Sequence, residues 1–280
     1  MSNRIDVRKT YKLFINGQFP RSESGRVYEI TSAGNFLANP AQASRKDLRD
    51  AVTAARAAQS GWAKATAYNR GQILYRIAEM LEGRASQFVD EICAVEKLTP
   101  TKAKAEVEQA IDSWVWHAGW ADKIASVFGA TNPVSGPYFN FTIPEPVGVV
   151  GIFAPEKQSL LGLVNSLAPV MLSGNTAVLV ASQSAPLTAI TFSEVLATSD
   201  LPAGVCNILT GLKDELSPWM ASHMDVDAMD ISGIAKKNQA QLREAGADNL
   251  KRIFAFSDKQ SVARISAFLE AKTVWHTIGV

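Results

Sequence analysis

The two cysteines are the residues with the most consequential possible chemistry, because a thiolate can attack a carbonyl carbon and form a covalent intermediate. Cys93 lies on a helical stripe with Ile92 and Val95, and Cys206 lies within the apolar run 205–209. A nucleophilic thiolate needs a neighbouring cation, base or helix N-terminus, and no such group can be assigned to either cysteine from the sequence. Both are therefore predicted to be small core residues, and no catalytic residue is assigned.

The three histidines are the other side chains that could bind a metal ion. His117, His223 and His276 are scattered along the chain without the spacing of metal ligands, so no metal site is predicted. The charge balance restricts the partners in the same way. With 28 Lys and Arg against 27 Asp and Glu, the formal net charge is +1. No basic excess is available to hold a polyanion, so nucleic acid is excluded as a partner.

The apolar runs and the cysteine count predict the compartment. Runs such as 147–153 and 177–181 are far shorter than the ~20 residues of a membrane-spanning helix. The first ten residues, MSNRIDVRKT, lack the apolar stretch of a signal peptide, and two cysteines are too few for a disulfide framework. These features predict a soluble protein in a reducing compartment, with a cytoplasmic location and no membrane partner.

An extended arm and three long helices are predicted over residues 1–128. The first forty residues contain turn clusters around short extended segments and show no helical periodicity. Ser44, with Asp47 three residues later, predicts a capping box at the start of the first helix. Helical stripes then continue as far as Thr99-Pro100, and Thr101 is predicted to cap the third helix.

A regular alternation of strands and helices follows a predicted hairpin at 129–146. Runs that are apolar along their whole length suit strands buried on both faces, and their alternation with helices implies right-handed crossovers. The sequence thus predicts an α/β fold with a doubly wound, Rossmann-like parallel sheet over 147–270. The strands are predicted at 147–153, 176–180, 205–209, 228–231 and 251–256, the helices near 159–172, 186–198, 213–222, 236–246 and 259–270, and a last strand at 272–280.

Ligands of a doubly wound sheet bind beyond the carboxyl ends of its strands, so the loops there are informative. None of these loops has the GxGxxG pattern. Gly211 and Gly233 each follow a predicted strand, where a glycine would let the backbone approach a phosphate. They are the candidate cofactor contacts, and simple turn formation is the alternative interpretation.

Five ordered segments carry a family resemblance: EPVGVVGIFAP, LAPVMLSGNTAVLV, APLTAITFSEVL, LPAGVCNILTG and SHMDVDAMDISG. In this order and spacing they resemble the cofactor-binding half of aldehyde dehydrogenases. The segments KLFINGQF, AVTAARAAQSGWAK and RGQILYRIAEMLEGRASQF resemble the N-terminal region of that family, and FLEAKTVWHTIGV is similar to its C-terminal oligomerisation strand.

The resemblance implies an oligomerisation role for the hairpin 129–146 and the strand 271–280. In the family, these elements of one subunit extend a sheet of its neighbour. An isolated chain with such strands would expose unpaired backbone and apolar side chains, which favours capture by another chain. The residues expected to make these contacts are Tyr138, Phe139, Phe141, Ile143, Val274, Trp275 and Ile278.

The sequence also departs from the family pattern. Far fewer residues separate the cofactor-type strands from the last strand than in aldehyde dehydrogenases, whose intervening domain carries the nucleophilic cysteine and the general-base glutamate. Glu156-Lys157 stands where the family has Trp-Asn, and residues 180–183 replace its Lys-Pro-x-Glu turn. Residues 233–236 keep only the glycine of its Gly-Ser-Thr-Glu motif. The oxyanion donor and the groups that hold the ribose and the pyrophosphate are thus altered.

We therefore expect a catalytically inactive aldehyde dehydrogenase-like subunit, similar to the non-catalytic second half of the two-part aldehyde dehydrogenase subfamily. It would assemble with itself, with an active NAD-dependent aldehyde dehydrogenase, or with both. No cofactor is expected, although weak binding of NAD or NADP stays open. A first alternative is an NAD(P)- or anion-binding sensor module that uses the backbone near Gly211 and Gly233. A second is an active aldehyde oxidoreductase that uses Cys93 or Cys206.

Overall fold

The computed structural model describes residues 7–257 and 260–278 as ten strands, ten α-helices and one short 3-10 turn. The helices are α1 (Arg45–Lys64), α2 (Ala67–Glu82), α3 (Ala85–Glu96), α4 (Pro100–Trp120), α5 (Ile124–Phe128), α6 (Leu161–Leu172), α7 (Leu187–Ala197), α8 (Lys213–Ser222), α9 (Lys236–Ala247) and α10 (Val262–Ala267). The strands are β1 (Ile30–Ser32), β2 (Asn35–Ala38), β3 (Ala130–Asn132), β4 (Tyr138–Pro146), β5 (Val149–Phe153), β6 (Thr176–Val180), β7 (Cys206–Leu209), β8 (Ala228–Asp230), β9 (Arg252–Phe254) and β10 (Leu269–Thr277).

A parallel sheet of five strands forms the centre of the fold, in the order β7-β6-β5-β8-β9. Every residue of β5 and β6 is buried, because helices cover both faces of the sheet. The predicted α/β fold with a Rossmann-like parallel sheet is confirmed. The N-terminal arm adds to the edge of this sheet, where Phe14 and Ile208 exchange two backbone hydrogen bonds of 2.9 and 2.8 Å.

The helical region before the sheet contains four long helices rather than the predicted three. The capping box is confirmed, since the Ser44 hydroxyl accepts from the Asp47 N–H and the Asp47 carboxylate accepts from the Ser44 N–H. The predicted second helix is divided at Gly83 and Arg84 into α2 and α3. The prediction for the cap of α4 was wrong: Thr99 caps it rather than Thr101, because Pro100 occupies the first helical position, where no N–H is needed.

After β9, the helix is shorter and the last strand begins earlier than predicted. The predicted helix 259–270 contracts to α10, and the last strand begins at Leu269 rather than Lys272. Residue 259 of that helix and residues 279–280 of the predicted strand lie outside the described residues. Strand pairing explains the difference, because Leu269 and Glu270 already pair with Pro146 and Glu145 of β4.

A buried ion pair fixes α10 to the parallel sheet. Arg264 of α10 and Asp230 at the end of β8 are 2% and 0% exposed, and Arg264 Nη1 lies 3.2 Å from Asp230 Oδ2. The same guanidinium donates to the carbonyl oxygens of Asn165 and Ser257. The short connection between the two sheets is thus packed and hydrogen-bonded rather than loosely attached.

A three-stranded antiparallel sheet, which we call the arm sheet, has the order β10-β4-β3. Thr142 of β4 is opposite Thr273 on one side and Ala130 on the other. Apart from Leu269 at its base, its side chains are absent from the buried clusters that make up the core, so the arm sheet projects from the body of the protein. Among the described residues, no helix is both long and apolar enough to cross a membrane.

Candidate functional site

The crevice at the carboxyl ends of the parallel strands contains a partly buried ion pair between Glu156 and Lys213. Lys213 is the first residue of α8 and is 5% exposed. Its ammonium group contacts the Glu156 carboxylate and donates to the carbonyl oxygens of Ala154 and Gly233. The ammonium therefore connects the loops that follow β5, β7 and β8.

The Glu156 carboxylate extends this network to the loop after β6. It accepts hydrogen bonds from the backbone N–H groups of Gln183 (3.2 Å) and Ser184 (3.0 Å), and from the hydroxyls of Ser182 (3.1 Å) and Ser184 (2.9 Å). Burial opposes its ionisation, but the Lys213 ammonium and these hydrogen bonds outweigh burial and lower the pKa of Glu156. The carboxylate is therefore ionised at neutral pH, and four loops of the crevice are tied together through one charged pair.

The two glycines predicted as cofactor contacts are both packed against neighbouring backbone. The Gly233 N–H donates to the carbonyl of Phe153 at 2.9 Å. Gly211, at φ +154°, lies against the N-terminal arm, and a Cβ placed there would be 3.1 Å from the amide nitrogen of Ala43. The Gly233 N–H is thus already used within the fold, and Gly211 permits a close backbone approach by the arm.

Replacing Gly233 by alanine is expected to lower the free energy of unfolding by about 1–3 kcal/mol, the usual cost of overpacking. A Cβ at this position would lie 2.0 Å from the Ala154 carbonyl oxygen and 2.4 Å from that of Phe153, so backbone must move. Urea denaturation measures the change. Gly61→Ala is the matched control, because a Cβ at Gly61 in α1 meets nothing within 4 Å; it should be neutral or stabilising. Equal stability of both variants would contradict the close approach at Gly233.

A cavity of about 370 Å³ remains in the crevice beside the ion pair. Its lining includes Glu156, Gln183, Lys213 and the segment 232–235. A dinucleotide pyrophosphate needs unpaired N–H donors or cations, and here the Lys213 ammonium is neutralised by Glu156 while the Gly233 N–H is taken. The Lys213 ammonium and the Gly233 N–H are therefore both already engaged within the fold.

The cysteines and histidines lie on separate elements of the structure. Cys206 on β7 is 1% exposed, and burial raises the pKa of its thiol far above the usual range. Cys93 is half-buried on α3. His117 is buried in α4, His223 follows α8 and His276 is exposed on β10. Within residues 7–257 and 260–278, no three His, Cys, Asp or Glu side chains are grouped to hold a metal ion.

The residues predicted for oligomerisation are brought together on the arm sheet. The register places Phe139, Phe141, Ile143 and Val274 on one face, which we call the apolar face. Tyr138 and Trp275 lie on the opposite face with ring centroids 5.8 Å apart, and Ile278 follows β10 with its N–H bonded to Pro137. Five of the seven side chains are at least 37% exposed: Tyr138, Phe139, Ile143, Trp275 and Ile278.

Two pairs that organise the site were not recognised in the sequence. Lys213 begins α8, just after the third parallel strand, and pairs with Glu156, which follows the first parallel strand. Asp230 and Arg264 lie far apart in the chain, and no periodic pattern in the sequence predicts their contact. An acid at the end of a buried strand, as in the case of Asp230, is the signal that could have indicated a buried partner.

Comparison with known proteins places this geometry in a family. A sequence profile of the aldehyde dehydrogenase family matches residues 21–256. The chain belongs to the aldehyde dehydrogenase family. The fold of the chain also matches solved structures: HpcC from Thermus thermophilus superimposes with a TM-score of 0.83 at 28% identity, over 88% of this chain and 47% of that one. An NAD+ complex of aldehyde dehydrogenase from Bacillus cereus gives 0.81 at 25% identity, over 88% and 50%.

Curated members of the aldehyde dehydrogenase family show the same partial coverage. Retinal dehydrogenase 2 of Mus musculus is 34% identical over 255 residues, which cover 89% of this chain and 48% of that protein. The mitochondrial benzaldehyde dehydrogenase of Antirrhinum majus is 32% identical over 251 residues, covering 86% and 46%. The chain therefore spans about half the length of the curated relatives it matches.

Proposed function

We propose that this chain is a non-catalytic aldehyde dehydrogenase-like subunit that assembles with itself, with an active NAD-dependent aldehyde dehydrogenase, or with both. The observation that carries the proposal is the arm sheet, in which five aromatic or aliphatic side chains stay at least 37% exposed. Phe139 and Ile143 lie on the apolar face and Tyr138 and Trp275 on the opposite face, so both faces expose apolar surface, which marks interaction sites in proteins. Its contribution to a partner would be structural or regulatory.

The absence of catalysis is proposed from the chemistry of the crevice. A thiol nucleophile needs an ionised sulfur within reach of the substrate, and burial of Cys206 favours the neutral thiol. Cys93 on α3 is half-buried and packs against the hydrophobic core. The Glu156–Lys213 pair occupies the part of the crevice where a doubly wound sheet holds its ligand.

The proposed compartment is the cytoplasm. Cys93 and Cys206 are both free thiols. Free thiols persist in a reducing environment, whereas secreted proteins convert most of theirs into disulfides.

An activity assay and a co-purification test the proposal together. The purified chain is expected to give no NAD reduction with a panel of aliphatic and aromatic aldehydes, because no activated thiolate is available. Affinity purification from the native host should recover an untagged copy of the chain or an active aldehyde dehydrogenase. Turnover by the pure protein that disappears in a Cys93→Ser/Cys206→Ser double variant would overturn the proposal and establish the active oxidoreductase. A host eluate that contains the tagged chain alone would count against assembly.

A second candidate function is an NAD(P)- or anion-binding sensor module. The cavity of about 370 Å³ favours it, because a space of that size adjoins Lys213 and the residues 232–235 that lead into the N-terminus of α9. Calorimetric titration with NAD and NADP decides between the two functions. We expect no binding below millimolar concentrations in the wild type, and a micromolar Kd would establish the sensor. Glu156→Gln is the informative variant, since it frees the Lys213 ammonium without changing the size of the side chain.

A further inference from the structure

The Glu156 carboxylate lies in a set of donors that suits a small oxyanion. Two consecutive backbone N–H groups, those of Gln183 and Ser184, donate to it from the loop after β6 at 3.2 and 3.0 Å. The hydroxyls of Ser182 and Ser184 donate to it at 3.1 and 2.9 Å, and the Lys213 ammonium contacts it. Successive N–H groups can form an anion-binding concavity. The ligand held here is a side chain of the same protein.

The cation of this site is buried, whereas the carboxylate is partly exposed. The side chain of Lys213 is 7% exposed and that of Glu156 is 42% exposed. Burial lowers the pKa of Lys213, and the Glu156 charge partly offsets that effect. A buried ammonium needs an anionic partner, because burial without one favours loss of its proton. The fold therefore fixes the position of the lysine, whereas the carboxylate is within reach of anions in solution.

Two cavities, of about 370 and 420 Å³, adjoin the carboxylate. Glu156 and Gln183 line both of them, with Lys213 in the smaller and Tyr28 in the larger. Each space is about tenfold larger than the roughly 30 Å³ that one water molecule occupies in the liquid. An anion larger than a carboxylate therefore has room at this site once the Glu156 side chain has moved.

We propose that these donors form an oxyanion-binding site whose built-in ligand is Glu156, and that this autoinhibitory contact keeps the wild-type chain closed to phosphate. The tethered carboxylate outcompetes a free anion because it is present at a high effective concentration. Removal of the Glu156 side chain opens the site, since the Lys213 ammonium and the loop after β6 then lack their anion. The inference deepens the sensor candidate by naming the ligand class. It is independent of the proposed assembly, because the crevice and the arm sheet share no residues.

Calorimetric titration with inorganic phosphate, against chloride at equal ionic strength, tests the proposal. Glu156→Ala is expected to bind phosphate about tenfold more tightly than the wild type, or more. Glu145→Ala is the matched control, because it also removes an acid from a lysine, but its partner Lys272 is exposed; its affinity should equal that of the wild type. The double variant Glu156→Ala/Lys213→Met should lose the gain. Equal phosphate affinity of wild type and Glu156→Ala, or a gain that persists without Lys213, would overturn the proposal.

Thermal unfolding gives a second measurement that a purely structural ion pair would not affect. Phosphate should raise the Tm of Glu156→Ala and leave that of the wild type and of Glu145→Ala unchanged, because a ligand of the folded state stabilises it. Circular dichroism checks that each variant is folded. If Glu156→Ala does not fold, Glu156→Gln replaces it, since glutamine keeps the side-chain volume without the charge. A folded Glu156 variant whose affinity and Tm show no response to phosphate would make the pair structural only and overturn the proposal. Neither result changes which partners co-purify with the chain.

Discussion

Asp230→Ala is expected to lower the free energy of unfolding by about 3–5 kcal/mol, because it leaves a buried guanidinium without its carboxylate. Both partners are almost fully buried, and Arg264 Nη1 lies 3.2 Å from Asp230 Oδ2. Asp230 Oδ1 also accepts hydrogen bonds from the N–H and hydroxyl of Ser232. Removal of one carboxylate thus affects both the ion pair and the turn after β8. Urea denaturation followed by circular dichroism measures the loss.

The double variant Asp230→Leu/Arg264→Met is the control that separates charge from packing. Apolar replacement of both members of a buried pair is commonly close to neutral, so most of the stability should return. Arg49→Met serves as a surface control, since Arg49 pairs with Asp50 in solvent and such pairs contribute about 0–1 kcal/mol. A loss below about 1 kcal/mol in Asp230→Ala would contradict the view that this pair anchors α10 to the sheet.

Stability should depend on pH through two buried groups with opposite signs. Burial, helped by the nearby Glu96, raises the pKa of Glu106 from 4.5 to about 7. The folded state then binds more protons than the unfolded state, so this stability is present below pH 4.5 and is lost as the pH rises to about 7. Burial lowers the pKa of His117 from 6.5 to about 4. Its contribution is present above pH 6.5 and is lost as the pH falls toward 4.

Single variants separate the two contributions, which partly cancel in the wild type. Glutamine at position 106 cannot ionise, so the Glu106→Gln variant does not lose stability as the pH rises. Its free energy of unfolding relative to wild type should therefore increase by about 2–3 kcal/mol between pH 4.5 and 7. His117→Gln should become more stable relative to wild type by a similar amount as the pH falls from 6.5 to 4. Urea midpoints across the pH range give both slopes. Parallel pH profiles of wild type and Glu106→Gln would show that Glu106 is ionised in the fold.

The geometry around Glu106 explains why its pKa rises although it caps a helix. Glu106 Oε1 accepts hydrogen bonds from the N–H groups of Leu160 and Leu161 at the start of α6, at 3.1 and 3.3 Å. Its Oε2 has no hydrogen-bond partner among the described residues. A buried carboxylate with one unsatisfied oxygen favours the protonated form, because neutralisation removes the cost of burying the charge.

The parallel sheet and most of its helices could be predicted because their residues are buried in a repeating pattern. Strands β5 and β6 are apolar at nearly every position between turn signals, and this composition suits a strand covered on both faces. The helix cap at Ser44 was equally predictable, because the capping box needs only the two nearby residues Ser44 and Asp47. The break between α2 and α3 could not be predicted, because both helices present apolar residues to the same core.

The candidate site was predicted less well because its chemistry depends on long-range contacts. Gly233 was a candidate cofactor contact, with simple turn formation as the alternative, and its N–H donates to the carbonyl of Phe153. Glu156 was recognised as a departure from the family pattern, and its partner Lys213 lies after another strand. Crossovers bring such loops to one edge of the sheet, and sequence spacing does not record which side chains then meet.

The sequence by itself determined the family, the parallel sheet and the apolar character of the arm strands, because each depends on local composition or on ordered segments. Only the tertiary structure decided that Glu156 and Lys213 neutralise each other in the crevice, that Arg264 is buried against Asp230, and that the outer edge of β10 is open among the described strands. Pairing of buried charges and of strand edges joins residues far apart in the chain. Its energy depends on burial and distance, which are properties of the folded protein alone.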